Sequence, residues 1–131
     1  MKLFSREWAD TMAETLKASP DFQEKAAGFD SKFQFIALPD SGAGVSEERA
    51  CGINLPQCDE VWSGKRPDGE VDVILEGKYG NMAKIMAGQT NLLAALAMRS
   101  VRLKKGSAGK LTTYLGAVNI FIENSKKLSV S

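Results

Sequence analysis

Residues 71–106 read VDVILEGKYGNMAKIMAGQTNLLAALAMRSVRLKKG, and the change of period inside that stretch decides the fold. Val71, Val73 and Leu75 recur every second residue, which predicts a strand over 71–75 with those three side chains on one side. From Tyr79 to Ala87 the apolar positions Met82, Ile85 and Met86 fall at a three-four spacing, which predicts a short helix. Gly88 ends it as a C-terminal cap. Asn91 caps a second short helix over Leu92–Met98, rich in Leu and Ala. Val101 and Leu103 then alternate with Arg102 and Lys104, a strand with one solvated face. Gly106 turns the chain.

Upstream, Phe4, Trp8, Met12 and Leu16 recur every four residues and predict one face of a helix that Ser5 caps. Ser19-Pro20 marks its end, because the residue before proline is pushed out of the α region. Phe29 to Leu38 predicts a strand, with Phe29, Ser31, Phe33, Phe35 and Ala37 on one face. Pro39-Asp40-Ser41-Gly42 closes it as a turn, and Gly42-Ala43-Gly44 is turn chemistry too short for a phosphate loop. Arg49 to Leu55 alternates again through Cys51, Ile53 and Leu55 until Pro56 stops it. Asp59 to Ser63 predicts a short strand carrying Trp62, followed by the turn Gly64 to Gly69. Downstream, Leu111, Leu115, Val118 and Ile122 predict a single final helix from Ser107 to Asn124, with Lys126 and Lys127 after its end.

The predicted order is α+β: five strands in a largely antiparallel sheet, covered on one face by helices. The 131 residues fit one domain, 1–131, without internal repeat or linker. A chain of that length buries roughly two-thirds of its unfolded surface, so a core forms without metals or disulfides.

Composition excludes several classes. Hydrophobic residues at 44% and charged residues at 25% are ordinary for a globular protein. Seventeen basic and sixteen acidic side chains leave a net charge of +1, too little for a nucleic-acid-binding field. No apolar run reaches the about eighteen residues needed to span a bilayer. Residues 1–10 do not read as a signal peptide, the last three do not read as a targeting tripeptide, and the cytoplasm is the expected compartment. There is no histidine, so neither a Ser-His-Asp nor a Cys-His nucleophile pair forms, and Cys51 and Cys58 cannot complete a Cys/His zinc set. No cofactor and no metal are expected; the two cysteines read as small thiols, with Cys51 in a strand core, or else as a reversible disulfide.

The succession Val71–Leu75, Met82–Gly88, Asn91–Leu96, Val101–Lys104, Gly106 and the helix start at Leu111–Leu115 resembles the sterol carrier protein 2 family. Two local departures stand out: Arg99-Ser100 where that family often has Gly-Lys, and two residues, Lys104 and Lys105, between Leu103 and Gly106 where one is usual. The resemblance implies a sheet covered by helices with an apolar tunnel between them. It further implies a non-catalytic carrier whose tunnel takes up a sterol, fatty acyl or isoprenoid-type ligand.

Met82, Ile85 and Met86 on one short helix and Leu92, Leu93 and Leu96 on the next offer more apolar surface than two such helices need. Flexible methionines suit a cavity that repacks. Leu115, Val118, Phe121 and Ile122 form a second candidate wall, Phe33 and Phe35 a third, and Trp62 is either a core anchor or an entrance residue. The basic stretch of Arg99, Arg102, Lys104 and Lys105 reads either as a solvated face or as weak contact with an anionic membrane surface. An alternative function is an enzyme, or its substrate-binding subunit, acting on a lipid-like substrate with a carboxylate such as Asp72 or Glu76 as base.

Overall fold

The computed structural model describes residues 1–130. Its elements in chain order are α1 (Arg6–Lys17), α2 (Pro20–Lys25), β1 (Ser31–Leu38), β2 (Arg49–Leu55), β3 (Val61–Ser63), β4 (Val73–Lys78), α3 (Tyr79–Met86), α4 (Leu92–Ala97), β5 (Val101–Lys105), α5 (Ala108–Thr113) and α6 (Leu115–Lys126). The strands form one sheet in the order β3-β2-β1-β4-β5, mostly antiparallel with one parallel pair, β1 with β4.

Local chemistry sets the helix ends. Ser5 Oγ accepts from Trp8 N at 3.2 Å, and α1 buries Trp8, Met12 and Leu16 as their spacing requires. Ser19-Pro20 does more than end α1. Ser19 Oγ accepts from Phe22 N at 3.2 Å and Pro20 opens α2, because a proline in the first turn gives up no hydrogen bond. Gly88, at φ 73°, takes the left-handed conformation that ends α3, and Asn91 caps α4 through a bond from Ala94 N.

The predicted final helix is two helices. Tyr114 leaves helical geometry at φ −103°, ψ 32°. Its ring stacks on Phe29 with centroids 4.5 Å apart and planes 8° apart. The break lets α5 bury Leu111 while α6 buries Ala117 and Phe121.

The parallel pair has a topological cause. β3 is an edge strand, so the chain must recross β2 and β1 to reach β4. The segment between them runs over the outer face of the sheet, and Val71 is buried there with Ile36, Ala50, Trp62 and Ile74. Val71 therefore does not share a face with Val73 and Leu75, which point to the helices, and β4 begins at Val73. Buried Gln34 ties the crossing down: its Oε1 accepts from Trp62 Nε1 at 3.0 Å and from Arg66 N at 2.8 Å. The Trp62 ring lies flat on Gly52, where a Cβ would come within 1.9 Å of it. The helices pack on the other face, around Trp8, Phe33, Phe35, Ile53, Leu75, Ile85 and Phe121.

Candidate ligand pocket

Thirteen side chains converge between the inner sheet face and the helices. The sheet contributes Phe33, Phe35, Leu55 and Leu75, and the helices contribute Phe22, Met86, Leu92, Leu111, Ala117, Val118, Phe121 and Ile122. Phe29, just before β1, completes the lining, edge-on to Phe33. No polar group lines the space. The cavity left among these side chains is about 30 Å³. Side chains fill the interior: Phe33 stacks on Phe35 at 6.0 Å, and Phe35 meets Phe121 at 5.4 Å.

A cleft outside this pocket runs between α4 and α6. Its rim is Gly88, Thr90, Asn91, Asn119, Glu123 and Lys126, and its floor is Leu92, Leu93, Leu115, Val118 and Ile122. Leu92, Val118 and Ile122 belong to both spaces, so the cleft opens onto the pocket through them. All three are half-buried.

The residues singled out from the sequence divide accordingly. Phe33, Phe35, Met86, Leu92, Val118, Phe121 and Ile122 line the pocket, and Leu93 and Leu115 line the cleft. Met82 and Ile85 are buried in the core cluster without lining either space. Leu96 sits in a separate groove over β5, with Val101, Leu103 and Arg102. Trp62 is on the opposite face of the sheet, because β3 turns that position outward to cover Gly52. Phe22, Phe29, Leu55, Leu75, Leu111 and Ala117 complete the wall. Alternation already puts Phe29 beside Phe33, Leu55 beside Ile53 and Leu75 beside Val73. Phe22 gives no comparable signal because its helix was not predicted.

The charged candidates lie elsewhere. Asp72 Oδ2 accepts from Lys32 N at 2.8 Å, and Glu76 pairs with Arg102 at 2.9 Å, so neither carboxylate faces the pocket. The basic stretch is largely engaged. Arg102 holds Glu76, Lys104 lies 3.8 Å from Asp68, and Lys105 donates to the carbonyls of Asp68 and Val71 at 2.7 and 2.6 Å. Arg99, exposed at φ 61°, follows Met98, which is 80% exposed.

Both thiols are buried and free. Burial pushes both up: Cys51 far above the ordinary thiol range and Cys58 to about 11, where nearby Lys17 pulls weakly the other way. An acid whose folded pKa is raised favours folding below the unfolded value near 9 and loses that contribution as pH climbs toward 11. The native protein should thus lose more stability between pH 9 and 11 than a Cys58→Ser variant, as read by urea midpoints. Equal slopes would remove the thiol from that loss.

Among the described residues, no group of three or more Cys, Asp or Glu could hold a metal ion, and no helix is long and apolar enough to cross a membrane.

The fold and pocket define a small α+β domain with an apolar interior between sheet and helices. That architecture is the sterol carrier protein 2 fold. A crystal structure of sterol carrier protein 2 superposes with a TM-score of 0.83 at 21% identity, over 98% of this chain and 100% of that one. A conserved hypothetical protein of Thermus thermophilus, described as a candidate sterol carrier protein, gives 0.84 at 22% identity over 100% and 92%. Palmitated SCP2L2 from Aedes aegypti gives 0.54 at 19% identity over 90% and 94%. No protein-family model and no curated protein sequence matches the chain.

Proposed function

We propose that this protein binds and carries an apolar, lipid-like ligand in the pocket between sheet and helices, and that it does so without catalysing a reaction. The observation that carries the reading is a wholly apolar lining of thirteen residues that opens, through Leu92, Val118 and Ile122, onto a polar-rimmed cleft. Ligand sites are mostly apolar with a few polar groups at one side, and this arrangement matches. The similarity of fold to sterol carrier protein 2 and to a palmitated relative supports it. Because the interior is filled, uptake requires the unbranched Met86 and the half-buried α4 and α6 side chains to move aside. The enzyme alternative loses ground because Asp72 and Glu76 are turned away from the pocket.

Delipidated protein titrated with a fluorescent fatty acid and a fluorescent sterol should show saturable binding of at least one at micromolar levels, roughly −8 kcal/mol. Native mass spectrometry should show one ligand per chain. Absence of saturable binding across several lipid classes would overturn the reading. The same proposal includes a cytoplasmic location and weak contact with an anionic membrane surface through Arg99, Arg102, Lys104 and Lys105, beside the exposed Met98. With three of the four already engaged by neighbours, that contact is feeble and sensitive to salt.

A further inference from the structure

β5 ends the sheet, so one of its sides has no neighbouring strand. The opposite edge strand, β3, is three residues long and has α1 packed beside it. β5 lacks such a cover: among the described residues, no helix or turn backbone group bonds to residues 101–105. The edge is regular over Val101–Leu103 and ends there, because Lys104 is an extra residue against β4. Beside this edge lies a groove of about 480 Å³, large enough for a small-ligand cleft. Leu96, Val101, Leu103 and Ala108 make it apolar, Arg99 and Arg102 flank it, and no acidic side chain among the described residues lines it. Leu96 and Leu103 are half-buried. Arg102 pairs with Glu76, yet its side chain stays 66% exposed, and Arg99 has no acidic partner among the described residues.

An unpaired strand edge is a template for another strand. A second copy of β5 is a poor fit, because it sets Arg102 and Lys104 of one chain against the same cations of the other, and like charges directly opposite are destabilising. An anionic bilayer meets the arginines but offers no backbone groups in register with a strand. An extended acidic segment meets all three features at once: backbone for the edge, apolar side chains for the groove and carboxylates for the arginines. Side chains directly opposite each other in adjacent strands lie on one face. Residues opposite Val101 and Leu103 therefore enter the groove, and the residue between them lies beside Arg102.

We propose that the free edge of β5 docks an extended segment of a partner protein, patterned acidic-apolar-acidic-apolar-acidic, which adds to the sheet as a sixth strand. The central acidic residue pairs with Arg102, a flanking one with Arg99, and the two apolar residues cover Leu96 and Leu103. This docking does not depend on the carrier reading.

The test uses a fluorescein-labelled peptide, Gly-Asp-Val-Glu-Ile-Asp-Gly, and fluorescence anisotropy. It should bind the native chain saturably, and a peptide of the same composition with its acidic residues grouped should bind at least tenfold more weakly. Alternate amides of a strand face the same neighbour. Methylating the backbone nitrogen of the central Glu, or those of Val and Ile, should therefore weaken binding at least tenfold in one case and leave it nearly unchanged in the other. The double variant Arg99→Gln, Arg102→Gln should lose about tenfold while staying folded by near-UV circular dichroism. Amide NMR signals of Val101–Leu103 should shift with peptide, and those of Val61–Ser63 should not. No saturable binding, equal binding of the grouped peptide, or equal effects of the two methylations would overturn the proposal. So would a native chain that ignores the peptide but binds phosphatidylglycerol vesicles through the two arginines, which would assign the surface to a membrane, or one that sediments as a dimer and excludes the peptide.

Discussion

Replacing Phe35 with alanine should cost about 3–5 kcal/mol of folding stability, the range for removing a buried aromatic side chain. Phe35 is central to the inner face. Its strand, β1, is flanked by β2 and β4, where Cys51 and Leu75 are its direct neighbours. Its ring meets four others: Phe4 at 5.6 Å, Trp8 at 6.0 Å, Phe33 at 6.0 Å and Phe121 at 5.4 Å. A domain of this kind is stable by only about 5–15 kcal/mol, so the loss is a large share of the whole. The ring also borders the pocket, so truncation enlarges a space that already exists. A bound lipid that fills the enlarged space should return part of the lost stability. Urea unfolding with and without lipid measures both effects. A loss below about 1 kcal/mol would show that the aromatic cluster is not the centre of the core.

That central position was legible before the structure. Phe33 and Phe35 alternate in phase with Cys51, Ile53 and Leu55 on the next strand, and a strand has only two faces. What alternation cannot give is which face of a distant strand meets the helices. Trp62 is a core anchor, one of its two sequence readings, but not of the pocket wall: only the pairing of Gly52 with Trp62 shows that the indole covers a glycine on the outer face. The crossing from β3 to β4 was hidden in the same way, because it depends on sheet order and not on any local period. Val71 appeared in phase with Val73, yet it belongs to the crossing segment, whose path over the outer face reverses its direction.

Helix α2 and the break between α5 and α6 failed to read for a different reason. Leu111, Leu115, Val118 and Ile122 keep an unbroken helical spacing across Tyr114, and the break there comes from stacking on Phe29, which is remote in sequence. Ser19-Pro20 carries two meanings, stop and start, and the second needs Phe22 N within reach of the serine oxygen. With α2 unseen, Phe22 was absent from the candidate wall. Met82 and Ile85 have the right spacing and the right chemistry for a pocket. They lie deeper than it, a distinction of depth that periodicity does not encode.

Val118→Trp should abolish ligand uptake while leaving the fold in place. Val118 is half-buried on α6 and is shared by the inner pocket and the outer cleft, together with Leu92 and Ile122. An indole at that position has room to extend into the cleft, so it should not overpack the core, and the stability change should stay within about 1 kcal/mol. The same indole stands across the only place where the two spaces share side chains among the described residues. Affinity for a lipid that binds the native chain should fall by about a hundredfold, which corresponds to roughly 2.8 kcal/mol. Val118→Ala is the companion variant: it widens the same opening and should bind within about threefold of the native chain, with faster association if passage through the opening is slow. Unchanged affinity in a folded Val118→Trp protein would mean that the ligand neither enters through the α4–α6 cleft nor reaches as far as Val118.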